Sequence, residues 1–141
     1  MVKNKKGSRR ERELIRLFAG EHDKSPFGHG DWAPMRAPSS GAATQRELPD
    51  VLVGNGEWAY AIEAKASGGD PIYIDKEEVD SLQFFADHFP KMFARIGVRF
   101  DREEWRFFNP RALHETDKSV RVKASDLDDG KTLEDLDNGP L

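Results

Sequence analysis

The chain has 141 residues and no cysteine, which excludes disulfide bonds, thiolate zinc sites and cysteine nucleophiles. It also lacks any run of about 18 apolar residues, the length that a membrane-spanning helix needs. Its first residues contain no hydrophobic segment typical of a signal peptide. We therefore expect a soluble cytoplasmic protein with no membrane partner and no organic cofactor. Any bound metal must use oxygen or imidazole ligands.

Charged side chains make up 34% of the chain, but the formal net charge is only −4, so overall charge does not indicate nucleic-acid binding. The distribution of charge is uneven. Residues 1–18 contain seven Lys or Arg and two Glu, whereas residues 124–141 contain one Lys and six Asp or Glu. A basic beginning fits either a solvated terminus or a segment that binds phosphate groups.

The length and the 37% hydrophobic content are those of one domain with a real core. Hydrophobic density falls after Pro110. We therefore assign residues 1–123 to a single folded domain and residues 124–141 to an acidic, loosely ordered tail. Segments 20–34 and 38–49 are rich in small, polar or turn-forming residues, which predicts flexible loops inside the domain.

Periodicity predicts the order of helices and strands. Leu14, Ile15 and Phe18 recur at helical spacing, which predicts an amphipathic helix over 8–19 that begins at Ser8. Other patterns predict a short strand at 32–37, hairpin strands at 49–53 and 58–65, a helix capped by Asp75, and strands at 94–100 and 104–108. This order indicates an α/β fold, a mixed sheet with helices packed on it.

The dipeptide Asn55-Gly56 predicts a two-residue hairpin turn. With these two residues in the loop, Asp50 pairs with Ala61, and strand alternation places Glu63 on the same face. Asp50 and Glu63 are then diagonal neighbours with Cβ atoms about 7 Å apart. A slip of one residue would turn Asp50 to the opposite face of the sheet.

Lys65 shares this face with Glu63, so two carboxylates and a lysine converge. Carboxylate oxygens suit a hard divalent cation, Mg²⁺ or its substitute Mn²⁺. Such an ion polarises a phosphodiester and acidifies a bound water, while a lysine stabilises the developing negative charge. The pattern favours nucleic-acid phosphodiester hydrolysis, and a solvent-exposed charged sheet face is the alternative that the residues leave open.

Two further groups are candidates for the site. Glu11 lies on the apolar stripe of the first helix, where it either completes a capping box with Ser8 or joins the carboxylates. The basic side chains of the N-terminal segment, with Arg36 and Arg46, are expected to face DNA phosphates.

The ordered set of motifs resembles the PD-(D/E)xK nuclease superfamily, and within it the archaeal Holliday junction resolvases of the Hjc type. The resemblance extends over roughly residues 5–110. It rests on Lys6-Gly7, Glu11-Arg12-Glu13-Leu14, Arg36-Ala37-Pro38-Ser39-Ser40-Gly41, Pro49-Asp50-Val51, Ile62-Glu63-Ala64-Lys65, Ile72-Tyr73-Ile74, Phe84-Phe85-Ala86, Arg99-Phe100 and Trp105-Arg106-Phe107-Phe108.

The resemblance implies a restriction-endonuclease-like sheet of about five strands flanked by helices, and it implies roles for individual residues. The metal ligands would be Glu11, Asp50 and Glu63. The catalytic residues would be these three with Lys65 and Ser40. The resemblance adds Arg12 and Arg36 as DNA-binding side chains, and with those expected from charge the set is Lys5, Lys6, Arg9, Arg12, Arg36 and Arg46.

The resemblance also implies a function, a structure-specific endonuclease that resolves four-way junction DNA during recombination and repair. The family acts as a homodimer, which matches the two-fold symmetry of a four-way junction. The alternatives are a nuclease of the same fold that cuts duplex DNA and a noncatalytic DNA-binding protein. The long 20–34 loop and the acidic tail depart from the family pattern and resemble its haloarchaeal branch or a virus of those hosts.

Overall fold

The structure is a computed structural model that describes residues 5–37 and 46–140, apart from the side chains of Lys5 and Lys6. No helix in these ranges is long and apolar enough to cross a membrane. In chain order the elements are α1 (Lys5–Ala19), β1 (Ala33–Arg36), β2 (Val51–Gly54), β3 (Ala59–Ser67), β4 (Ile72–Asp75), α2 (Lys76–Asp87), β5 (Met92–Phe100), β6 (Arg106–Phe108), a 3-10 helix (Pro110–Ala112), β7 (His114–Glu115), β8 (Ser119–Val122), a second 3-10 helix (Ala124–Asp129) and α3 (Leu133–Asp137).

A five-stranded sheet forms the centre of the molecule, in the order β1-β2-β3-β5-β6. Strand β3 pairs with β5 in parallel, and the other neighbours in this sheet pair antiparallel. The predicted α/β fold with a mixed sheet of about five strands is therefore confirmed. The structure adds a separate three-stranded sheet, β4-β8-β7. Strand β7 has only two residues and β8 four, too few for their alternation to predict a sheet.

Helices cover both faces of the central sheet, and β3 shows how its sequence divides between them. Tyr60 and Ile62 belong to the hydrophobic cluster that includes Leu14 and Phe18 of α1. Ala61 belongs to the other cluster, which includes Leu82 of α2. Because side chains alternate along a strand, the residues that follow Ala61 at every second position face the α2 side.

The first helix begins at Lys5, three residues before the predicted start. Ser8 is therefore inside the helix, where its side chain cannot cap the N-terminus. Its hydroxyl instead accepts a hydrogen bond from Arg36 Nη2 at 3.1 Å. The predicted capping box of Ser8 and Glu11 is wrong, because both residues lie beyond the first orphan N–H groups of α1.

The hairpin turn is longer than the predicted two residues. Gly54 pairs with Ala59, so the turn spans residues 55–58. The Asn55 side chain accepts hydrogen bonds from the backbone N–H groups of Glu57 and Trp58, both at 2.9 Å. Asn55 thus organises a four-residue turn instead of serving as the first residue of a two-residue turn.

The longer turn changes the pairing of the two strands but not the face of their side chains. Val51 pairs with Ile62, two positions further along β3 than the predicted register places it. The predicted pairing of Asp50 with Ala61 is wrong, because Ala61 pairs with Leu52, and the observed register extended by one residue brings Asp50 next to Glu63. A shift of two residues preserves the face because side chains alternate with a period of two.

The segment 20–34 is irregular before β1, as predicted, but aromatic side chains anchor it in the core. Phe27 and Trp32 are 8% and 3% exposed, and both pack near Phe18. This segment therefore contributes side chains to the hydrophobic cluster that packs against α1.

The acidic segment 124–140 is folded against the domain, so the expectation of a loosely ordered tail is wrong there. Leu136 is 2% exposed, and its carbonyl accepts a hydrogen bond from the Tyr60 hydroxyl at 2.9 Å. Asp137 accepts a hydrogen bond from Trp32 Nε1 at 3.1 Å. Lys131 forms a β-bridge with Phe107. The folded unit thus extends to residue 140.

Glu13 connects α1 to the central sheet at the end of β5 and the start of β6. Its carboxylate accepts hydrogen bonds from Trp105 Nε1 at 2.8 Å, Arg99 Nε at 3.2 Å and Arg10 Nη1 at 2.8 Å. Burial raises the pKa of Glu13, but the Trp105 hydrogen bond and the charges of Arg99 and Arg10 outweigh it, so the pKa lies below its usual value. The ionised Glu13 carboxylate therefore has hydrogen-bond donors and positive charges that compensate its burial.

Candidate active site

The central pair of the site is Asp50 and Glu63, whose side chains interact directly. The Asp50 backbone N–H donates to the Ile62 carbonyl at 3.0 Å, one residue out of the β2–β3 register, so Asp50 lies where the regular ladder ends. Asp50 Oδ2 accepts a hydrogen bond from the Ala64 backbone N–H at 2.9 Å. The backbone on both sides of Glu63 thus fixes Asp50, and the predicted convergence of these two carboxyl groups is present.

Glu63 is a buried acid, only 8% exposed. Burial first, and then the negative charge of Asp50, raise the pKa of Glu63 to about 9, while Lys65 acts in the opposite direction. A second negative charge next to Glu63 is therefore costly unless a cation accompanies it.

Lys65 lies two residues further along β3 on the same face. Its Nζ is 3.5 Å from Glu63 Oε2 and 2.9 Å from Glu78 Oε2. Burial lowers the pKa of Lys65, but the interactions with Glu78 and Glu63 outweigh it, so the pKa lies above its usual value. The side chain therefore supplies a positive charge directly beside the two carboxyl groups.

Glu11 reaches the neighbourhood from α1 and is held by Arg36. Glu11 is 3% exposed, and its Oε1 accepts a hydrogen bond from Arg36 Nε at 3.0 Å. Arg36 pairs with Val51, and the next residue, Ala37, donates its N–H to the Asp50 carbonyl at 3.0 Å. Glu11 is thus linked, through one arginine, to the strand segment that carries Asp50.

The structure does not bring all three predicted ligands together. Within residues 5–37 and 46–140, no three Asp, Glu or His side chains are grouped closely enough to hold a metal ion. Asp50 and Glu63 are neighbours, whereas Glu11 forms its ion pair with Arg36. The buried carboxyl group of Glu63 and the partly buried one of Asp50, beside an ammonium group, nevertheless fit a hard divalent cation, because that ion would compensate their repulsion.

The predicted DNA-binding residues are in different surroundings. Arg9 and Arg12 are exposed on α1, whereas Arg36 is occupied by Glu11 and Ser8. The guanidinium of Arg46 lies 3.8 Å from the centre of the Phe84 ring. Lys5 and Lys6 begin α1, but their side chains lie outside the described part of the chain, and so does Ser40.

The sequence analysis missed two acidic residues near Lys65, Glu78 and Glu47. Glu78 contacts Lys65 directly. Glu47 lies close enough for its pKa to be raised, first by burial and then by Glu78 and Asp50. Helical spacing places Glu78 on α2, but no local pattern shows that this helix packs over Lys65.

Comparisons with known proteins agree with this geometry. The family model for archaeal Holliday junction resolvases (Hjc) matches residues 2–140. The crossover junction endodeoxyribonuclease Hjc of Archaeoglobus fulgidus is 33% identical over 120 residues, which cover 85% of this chain and 80% of that protein. The solved structure of A. fulgidus Hjc, described as a Holliday junction resolvase from an archaeal hyperthermophile, superposes with a TM-score of 0.79 and 27% identity, covering 93% of this chain and 99% of that one.

The resemblance drawn from the motifs is confirmed by these matches, and so is its restriction-endonuclease-like fold. They do not favour a duplex-specific nuclease or a noncatalytic binding protein. The five-stranded sheet, the facing carboxyl groups of Asp50 and Glu63 and the adjacent Lys65 lie within the matched region. This chain belongs to the archaeal Holliday junction resolvase family.

Proposed function

We propose that this chain is a Mg²⁺-dependent endonuclease that resolves four-way DNA junctions as a homodimer during recombination and repair. The observation that carries the proposal is the convergence of Asp50, Glu63 and Lys65 on one face of the hairpin. The family match supports the choice of junction DNA as substrate. A DNA substrate places the reaction in the cytoplasm of an archaeal cell or of an infected host.

Asp50 and Glu63 would hold the divalent cation, and Glu11 would complete the set of carboxylates. A bound Mg²⁺, or Mn²⁺ in its place, supplies Lewis-acid polarisation of a phosphodiester oxygen. The chain's own carboxylates orient the attacking water by accepting its hydrogen bonds. Arg36 keeps the Glu11 carboxylate directed towards the start of β2 by its hydrogen bond to Oε1.

Lys65 would stabilise the negative charge that develops on the phosphate during hydrolysis. Its ammonium lies 3.5 Å from the Glu63 carboxylate, so its positive charge is adjacent to the proposed metal ligands. An ammonium in a half-buried position is more effective than one in bulk water, because the surrounding medium screens its charge less. We also assign a catalytic role to Ser40.

The DNA would lie along the basic side of α1. Arg9 and Arg12 are exposed there, in a helix whose first residues are Lys5 and Lys6. Phosphate contacts from Lys and Arg are independent of sequence, which suits an enzyme that recognises the shape of a junction. Arg36 and Arg46 would extend this surface towards the carboxylates.

The homodimer would pair the two copies through α2. Phe84 on this helix and Phe89, two residues after its end, are 43% and 46% exposed, an unusual exposure for two aromatic side chains so close in sequence. A two-fold axis beside α2 would place two equivalent sites on opposite strands of the junction. Sedimentation of wild-type protein and of Phe89→Ser tests this arrangement, which predicts a dimer that the substitution weakens.

The decisive experiment compares Asp50→Asn and Glu63→Gln with wild type on a fluorescent synthetic four-way junction. Both substitutions remove a ligand charge with little change in shape, so Mg²⁺-dependent nicking should disappear while junction binding in EDTA survives. Glu57→Gln is the matched control, because Glu57 is an exposed acid in the turn of the same hairpin. Full cleavage by either site variant would remove that residue from the mechanism.

A linear duplex of the same sequence is the substrate control. The proposal predicts cleavage of the junction in the presence of excess duplex, and no cleavage of the duplex itself. Equal cleavage of both would instead indicate a duplex nuclease on this fold. Activity that persists in EDTA would contradict the metal dependence.

A further inference from the structure

Lys65 has a closer acidic neighbour than the carboxylates of the proposed site. Its Nζ lies 2.9 Å from Glu78 Oε2 and 3.5 Å from Glu63 Oε2. The side chains of Lys65 and Glu78 are 30% and 20% exposed, so this ion pair is largely protected from solvent. A partly buried ion pair is screened by solvent less than an exposed pair, so it restricts the two side chains more.

The position of Glu78 is fixed by the element that carries it. Helix α2 begins directly after β4, with Asp75 at its N-cap, and Glu78 lies in its first turn. Val79 and Leu82 of the same helix pack in the hydrophobic cluster beneath it. A carboxylate in the first turn of a helix is also stabilised by the helix dipole. Glu78 is therefore a fixed point on a packed helix.

Lys65 by itself has little to fix it. Its sequence neighbours, Ala64 and Ala66, are small, and its own four-carbon stem has many rotamers. On the neighbouring strand β5, Lys65 pairs with Val98, which has no polar atom on its side chain to hold an ammonium group. A catalytic lysine with this freedom loses rate, because a misplacement of about 1 Å costs orders of magnitude.

We propose that Glu78 is a positioning residue, which holds the Lys65 ammonium beside Glu63 so that its charge faces the phosphate to be cleaved. This inference rests on the proposed function, because it takes Lys65 as the catalytic lysine. Glu78 itself touches neither the substrate nor the reacting atoms. It acts through Lys65, in the way that outer carboxylates orient the ligands of metal sites.

The test compares Glu78→Gln with Glu77→Gln in single-turnover cleavage of a four-way junction. Glu77 is the matched control, since it is an exposed acid in the same turn of α2. We expect Glu78→Gln to lower the cleavage rate about tenfold to hundredfold, the usual loss for an outer positioning group. Its junction affinity in EDTA should not change. Glu78→Asp, which keeps the charge, should recover part of the rate.

A second readout does not depend on turnover. The ¹H–¹⁵N signal of the Lys65 ammonium, assigned by its loss in Lys65→Arg, should be visible in wild type and Glu77→Gln and absent in Glu78→Gln. Thermal unfolding shows whether each variant is folded. Either an unchanged cleavage rate or an unchanged ammonium signal in folded Glu78→Gln would overturn the inference.

Lys65→Ala separates this inference from the proposed function. If Lys65→Ala is inactive and Glu78→Gln cleaves at the wild-type rate, only the positioning role of Glu78 fails. If Lys65→Ala cleaves at the wild-type rate, the catalytic role of Lys65 fails, and the role of Glu78 fails with it.

Discussion

Buried Glu63 makes the stability of the metal-free protein depend on pH. Its folded pKa of about 9 lies above the value of 4.5 for an ordinary glutamate, because of burial and of Asp50. The neutral carboxyl therefore stabilises the fold fully below pH 4.5, and this stabilisation is lost as the pH rises towards 9. Glu63→Gln replaces the carboxyl with a neutral group of similar shape that does not ionise.

The expected magnitude follows from the two pKa values. Between pH 5 and pH 7 the unfolded chain releases a proton from Glu63 that the folded chain retains. Each pH unit then lowers the free energy of unfolding of wild type by about 1.4 kcal/mol relative to Glu63→Gln. Over this interval the variant should gain about 3 kcal/mol on wild type. The pKa of about 9 already includes the raising effects of Asp50 and Glu78 and the lowering effect of Lys65.

Urea unfolding of both proteins at pH 5 and pH 7, with EDTA present, measures this difference. Glu57→Gln is the control, because it also removes a carboxyl group but from the exposed hairpin turn. Added Mg²⁺ should then stabilise wild type and not Glu63→Gln, since binding to the folded state alone shifts the equilibrium. A difference between Glu63→Gln and wild type that does not change with pH would refute the reasoning about burial.

Three further substitutions test the packing, each by urea unfolding. Tyr60→Phe removes the hydrogen bond to the Leu136 carbonyl and should cost about 1 kcal/mol, whereas no loss would contradict that contact. Leu136→Ala should lower the free energy of unfolding by about 2–5 kcal/mol, and a loss near zero would instead support the predicted loosely ordered tail. Gly97→Ala would place a Cβ 3.0 Å from Phe107 Cε1 and should cost about 1–3 kcal/mol, so a neutral result would show that Phe107 moves freely.

The sequence predicts the site because the relevant pattern is local. Glu63 and Lys65 are two residues apart on one strand, and Asp50 begins its hairpin partner, so alternation alone places all three on one face. The exact register was beyond the sequence, because Asn55 binds two backbone N–H groups and widens the turn. A register shift of an even number of residues leaves each side chain on the same face of the sheet. The observed shift is two residues, so the predicted face of Asp50 and Glu63 is correct.

Contacts between distant parts of the chain could not be predicted in this way. The composition of residues 124–140 is acidic, and the few apolar residues there gave no sign that Leu136 would be buried against Tyr60. Glu78 likewise becomes relevant only because α2 packs on the face of β3 that carries Lys65. Single-sequence patterns report the local period and not the partner, so both features require the tertiary structure.

The carboxylates of Glu13 and Glu11 have a joint mechanical consequence for α1. Two residues apart on a helix, they point about 200° away from each other. Trp105 and Arg99 hydrogen-bond to Glu13 on one side of the helix, and Arg36 hydrogen-bonds to Glu11 on the other. These contacts together oppose a rotation of α1 about its own axis. A substitution of Trp105, far from Asp50 in sequence, would therefore allow α1 to rotate and would displace Glu11 from its position near the candidate site.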